Sequence, residues 1–164
     1  MSNLKTYAIL AATALAVAAL FTFQYAGTAW AAAKPVTTAG GVTFQDVPTQ
    51  TEQFIAWNES IQLTPAQEAI RVEALSAIPA PCCSDNSAAT CCCPCNMAKS
   101  VWGLSKHLIT EKGAGVAEVR QAAQDWFAFI NPEGFSGDVC YTGGCGKAFH
   151  ENGCGGMRHD RPVF

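Results

Sequence analysis

The chain is predicted to be mainly α, a small bundle of about four helices with an irregular Cys- and Gly-rich C-terminal cap, preceded by an N-terminal signal or transmembrane helix. Three observations predict it. Apolar residues recur at spacings of three and four in four separate stretches between residues 49 and 130. Each stretch is bounded by capping residues, proline or glycine. From Gly134 to Gly156, eight glycines and three cysteines fall within 23 residues, a composition that holds no regular structure without cross-links or a ligand.

The N-terminus comes first. Lys5 precedes a stretch from Thr6 to Ala33 without a charged residue, nearly all apolar between Tyr7 and Phe23. A basic residue before an apolar run is the pattern of an export signal. Ala29-Trp30-Ala31 is a small-x-small site for signal peptidase, which makes Ala32 the expected first mature residue; retention of the run as a signal anchor is the alternative, since about 20 apolar residues suffice to span a bilayer. No cysteine stands at the cleavage site for a lipid anchor. Either way Lys5 stays inside and the remainder is expected to be extracytoplasmic, periplasmic or at the cell surface.

Residues 1–31 are thus read as signal peptide or anchor, 32–48 as a linker with a short extended piece at Val42 to Phe44, and 49–164 as one cysteine-rich helical domain. Removing residues 1–31 from 164 leaves 133, enough for one modest core. It also removes Lys5 and no acid, taking the net charge from −3 to −4, so nucleic acid is not expected as a partner.

The helices follow in order. Thr49-Gln50-Thr51-Glu52 fits a capping box, with Phe54, Trp57 and Ile61 forming a stripe behind it. Thr64-Pro65-Ala66-Gln67 opens a second helix, with Ile70, Ala74 and Ala77 along one side and Pro79 and Pro81 as its stop. A third runs from about Pro94 to Lys112 with Met97, Val101, Leu104 and Leu108 inward and Gly113 as terminator. A fourth runs from about Gly115 to Ile130, with Val116, Val119, Ala123, Trp126 and Ile130 inward, until Asn131-Pro132. The Met, Trp and Phe residues of these stripes are expected in the core. His107 falls opposite its stripe and is expected in solvent.

All nine cysteines lie beyond residue 81: Cys82, Cys83, Cys91, Cys92, Cys93 and Cys95 in 14 residues, then Cys140, Cys145 and Cys154. A disulfide framework is the bland account, each bond contributing roughly 2–4 kcal/mol. Nine is odd, however, and three consecutive cysteines would each need a distant partner. Clustered thiolates for a soft ion, Cu(I) or Zn(II), account better for the crowding, with the six block cysteines as candidate ligands. Something must lower their pKa, and the expected helix start at Pro94 offers unpaired amides and a positive dipole end beside Cys92, Cys93 and Cys95. In the tail, Cys140, Cys145, Cys154 and His159 form a C-x4-C-x8-C-x4-H order that could close a second site.

Two other readings stand beside metal binding. Cys92-Cys93-Pro94-Cys95 is a CxPC sequence at a helix N-terminus, suited to a thiol-disulfide oxidoreductase with Cys92 attacking and Cys95 resolving. A disulfide-stapled accessory subunit, held by one helix to a larger membrane complex, is the third. Covalent c-type haem is not indicated, because CxxCH is absent; a phosphate loop and a serine nucleophile elbow are absent too.

Pro81-Cys82-Cys83 through Cys91-Cys92-Cys93-Pro94-Cys95, after a helix ending at Ile78-Pro79 and before an amphipathic helix, resembles the exported bacterial proteins named for a PCYCGC motif. The resemblance spans residues 65–110. Cysteines are adjacent here where that motif alternates them with tyrosine and glycine. It implies an exported cysteine-motif protein and assigns no catalytic residue.

Overall fold

The computed structural model describes residues 35–38 and 40–164. The expected signal or anchor segment, residues 1–31, lies outside them. No helix among the described residues is long and apolar enough to cross a membrane.

Four helices form the body: α1 (Val47–Ser60), α2 (Pro65–Ser76), α3 (Asn96–Lys112) and α4 (Val116–Ile130). A two-residue hairpin, β1 (Val36–Thr37) with antiparallel β2 (Thr43–Phe44), precedes them, and two short 3-10 turns at Gly144–Gly146 and Phe149–Glu151 mark the tail. The expected mainly helical bundle is the observed one.

The boundaries follow from capping. At α1 the cap is Asp46, whose Oδ2 accepts from the Thr49 amide at 2.8 Å, and not Thr49 itself. The helix therefore starts earlier than the Thr49 capping box predicts: Pro48, lacking an N–H, suits the first turn behind an aspartate cap. Gln50, within that first turn, turns its Oε1 back to accept from the amides of Gln45 and Asp46. For α2 the expected Thr64–Gln67 box is present in both directions. Gly113 ends α3 in the left-handed conformation at φ 64°, as a terminal glycine permits.

The core is aromatic. Trp126 of α4, fully buried, meets the edge of Phe44 at 5.0 Å and of Phe54 at 4.9 Å between ring centroids. Its indole N–H donates to Ser100 Oγ at 3.0 Å, which removes the cost of burying it. Phe44 and Val47 being core residues, the stretch expected as a linker packs into the domain from β2 onward. Their apolar bodies outweigh the Thr, Gly and Pro around them. His107 also departs from expectation: it stacks on Trp57 with centroids 3.8 Å apart and planes 7° from parallel, half-buried, and this desolvation lowers its pKa.

Helix α1 lies chiefly along α3, while α2 packs on α4 and α3. The α1–α3 approach is close enough that a Cβ on Gly103 would fall inside the contact shell of the Phe54 carbonyl oxygen. Gly103→Ala should gain about 1 kcal/mol of helix propensity and lose more by forcing the helices apart. We expect a net destabilisation of about 2–3 kcal/mol in denaturant unfolding.

Candidate metal centre

The six block cysteines sit on the connection from α2 to α3. That connection folds back on itself: the Ala88 amide donates to the Ile78 carbonyl at 2.8 Å and the Ala80 amide to that of Asn86 at 2.9 Å. Trp102 of α3 fixes the returning arm by donating its indole N–H to the Ala88 carbonyl at 2.8 Å. The chain then enters α3 with Cys95 at the N-cap.

Two stretches of the tail dock on this loop. The Cys140 amide donates to the Cys82 carbonyl at 3.0 Å, and Asp138 Oδ1 accepts from the Ser84 amide at 2.7 Å, a bond that lowers the Asp138 pKa. Tyr141 Oη donates to Asp85 Oδ2 at 3.0 Å. Further on, the first amides of α3 are taken by the tail: Asn96 N–H donates to the Gly156 carbonyl at 2.9 Å and Met97 N–H to that of Cys154 at 3.1 Å. Asn96 Nδ2 adds bonds to the carbonyls of Gly155 and Arg158. Donors that a helix start leaves unpaired thus become the seat of the tail. Gly155, at φ 72°, passes so close to Phe149 that a side chain there would collide with the ring.

These contacts sort the sulfurs into two groups. In the first, Cys92, Cys93 and Cys140 have Sγ–Sγ distances of 3.6 Å (Cys92–Cys93), 3.4 Å (Cys92–Cys140) and 3.5 Å (Cys93–Cys140). They form a three-cysteine cluster that could hold a metal ion, with Cys92 exposed and the other two half-buried. A tetrahedral ion with metal–sulfur bonds of about 2.3 Å has S–S edges of about 3.8 Å, so the trio fits one face of such a site with a small expansion. Disulfides require about 2.05 Å, and all nine thiols are free. Cys83 stands next to this group, in contact with Cys92. Its sulfur accepts from Asn86 Nδ2 at 3.3 Å and lies 3.6 Å from Tyr141 Oη. The Asn86 amide, donating to the sulfur, is the first cause of a lowered Cys83 pKa, since it favours the thiolate.

The second group gathers Cys82, Cys91, Cys95 and Cys154. Cys82 and Cys91 are 4.0 Å apart at sulfur, and Cys95 and Cys154 lie near enough to them that the thiols shift one another's pKa. Cys82, Cys95 and Cys154 are fully buried and Cys91 is half-buried. Cys95 is pushed far down, first by the Cys154 thiol, then by Cys82 and Cys91, with the Ala98 amide of the first helical turn adding to it. Cys91 and Cys154 are pushed up, first by Cys82, then by Cys95 and by burial.

The expected residues are therefore regrouped. Cys92 and Cys95, the CxPC pair of the redox reading, fall in different sulfur groups. Cys92 is pushed up to about 11, first by the Cys140 thiol, which is opposite to what an attacking thiolate requires. Cys140, Cys145, Cys154 and His159 do not converge on one point. Cys140 joins the first group and Cys154 the second, Cys145 approaches the Cys140 carbonyl at 4.0 Å, and exposed His159 has Glu59 Oε1 at 3.9 Å from its Nδ1. Sequence reasoning missed Asn86, Asp138 and Tyr141. Asp138→Ala removes the anchor that seats Cys140 beside the loop, and we expect roughly a tenfold loss of affinity for Zn(II) in competitive titration.

Helical body, folded-back loop and docked tail define a small cysteine-rich bundle with its thiols gathered at one end of α3. No protein-family model, curated protein or solved structure matches this chain.

Proposed function

We propose that this is a non-enzymatic, extracytoplasmic protein that binds a soft metal ion, Cu(I) or Zn(II), through Cys92, Cys93 and Cys140, for copper handling or soft-metal tolerance. The observation that carries it is the mutual 3.4–3.6 Å spacing of three sulfurs drawn from positions as distant in sequence as 92 and 140. Three free thiols that near one another repel once ionised, and a cation at their centre turns that repulsion into binding. Cys83, with two polar groups on its sulfur, is the reserve fourth ligand. The exposed flank at Cys92 leaves a coordination position through which an ion can pass to a second set of ligands.

The extracytoplasmic placement rests on Lys5, the apolar run and Ala29-Trp30-Ala31. Mass spectrometry of the mature N-terminus tests it: a chain beginning at Ala32 is a cleaved export product, one beginning at Met1 or Ser2 is anchored, and either chain recovered from the cytoplasm contradicts it. Metal binding is tested by anaerobic titration of the full chain with Cu(I) and with Zn(II) separately. Stoichiometric binding of either, reduced by one equivalent when Cys92, Cys93 and Cys140 are changed to serine together, supports the reading. A stoichiometry unchanged by the triple change refutes the assignment of ligands.

A further inference from the structure

We infer that Cys82, Cys91, Cys95 and Cys154 form a second, closed thiolate centre that holds a divalent d10 cation of the Zn(II) class as a structural clamp between the cysteine loop, the start of α3 and the tail.

Four observations carry this. The ligands come from three places in the chain: the two arms of the folded-back loop supply Cys82 and Cys91, the N-cap of α3 supplies Cys95, and the tail supplies Cys154. The four sulfurs neighbour one another, Cys82 and Cys91 at 4.0 Å, in a group more widely spaced than the Cys92–Cys93–Cys140 trio. Three of the four residues have no exposed surface, so the centre has no open side comparable to that at Cys92. Finally, backbone bonds that do not involve sulfur, Met97 N–H to the Cys154 carbonyl and Asn96 N–H to that of Gly156, fix the Cys154 backbone beside the helix start. The backbone of Cys154 is thus placed beside the helix start by bonds other than those of its sulfur.

Four sulfurs, closed coordination and burial are the marks of a structural zinc site, whereas catalytic or transfer sites keep one position free. Each thiol that is still protonated releases its proton to solvent as its bond to the ion forms, and no electron is transferred. Four thiolates around a divalent ion leave two excess negative charges, which the amide end of α3 faces.

This inference uses none of the sulfurs of the Cys92–Cys93–Cys140 trio, so either assignment can fail alone. The full chain, purified anaerobically with Zn(II) and then challenged with EDTA, should retain about one zinc, and Cys140→Ser should retain it equally. Cys154→Ser should lower the retained zinc at least about tenfold. Unchanged retention in Cys154→Ser overturns the inference. Should that variant fail to fold, unmodified protein decides. Iodoacetamide labelling followed by peptide mapping should find Cys82, Cys91, Cys95 and Cys154 modified at least about tenfold more slowly in zinc-loaded than in metal-stripped protein. Equal rates, or Cys82–Cys91 or Cys95–Cys154 disulfides in the anaerobic sample, overturn it. Protection of Cys92, Cys93 and Cys140 alone would also refute the second centre while leaving the first intact, and the converse pattern would do the reverse.

Discussion

Cys140→Ser should cost more than the roughly 10–100-fold in soft-metal affinity that loss of a supporting residue beside a metal ligand costs, with little effect on the helical body. The reasoning is geometric. Cys140 is the member of the trio that the tail contributes, 3.4 Å from Cys92 and 3.5 Å from Cys93 at sulfur. A serine oxygen in its place is a hard donor that Cu(I) discriminates against. Cys140 is half-buried at the margin of the core, so unfolding midpoints should move little. Competition against a chromophoric chelator measures the affinity, and far-UV circular dichroism confirms that the helices remain. Wild-type affinity in this variant would remove Cys140 from the ligand set.

The second large effect is on pH. Metal-free Cys92 is pushed up to about 11, first by the Cys140 thiol, and Cys93 is raised as well, first by its burial and then by Cys140 and Cys92. Raised values mean that the metal-free protein holds these protons throughout the neutral range. Thiolates bind and thiols do not, so binding expels them, and affinity rises with pH. With at least these two protons released, the logarithm of the affinity should climb with a slope of at least about 2 between pH 6 and 8, or about 100-fold per unit. Isothermal titration in buffers of different ionisation enthalpy counts the protons directly. A slope near zero would mean that the ion does not bind at Cys92 and Cys93.

The helices were readable because their signals are local. Thr64-Pro65-Ala66-Gln67 and Gly113 act within one turn of where they stand, and the stripe from Met97 to Leu108 needs only the helical period. The start of α1 was misplaced because Thr49-x-x-Glu52 imitates a capping box, while Asp46 with Pro48 makes a competing and stronger start. The extended stretch around Phe44 looked like linker because its composition is polar. One aromatic ring among threonines and glycines reveals its burial only when Trp126 and Phe54 are in place around it.

The site was legible in kind and not in partition. Six crowded thiols announced sulfur chemistry, and helix α3 does begin beside them. What sequence order could not give was that Cys140 and Cys154 leave the tail for different sulfur groups, since that depends on backbone bonds from Cys140 to Cys82 and from Met97 to Cys154, across long stretches of chain. His159 was drawn toward the tail cysteines by spacing alone, and it stands beside Glu59 on α1.

The most direct test of the central claim is X-ray absorption at the copper edge of anaerobically purified protein loaded with one equivalent of Cu(I), a readout to which zinc at the second centre does not contribute. The account predicts a nearest shell dominated by sulfur at about 2.2–2.3 Å, losing sulfur when Cys92, Cys93 and Cys140 become serine. A shell of nitrogen and oxygen atoms in the wild-type protein, or a sulfur shell unaltered by the triple replacement, would contradict it.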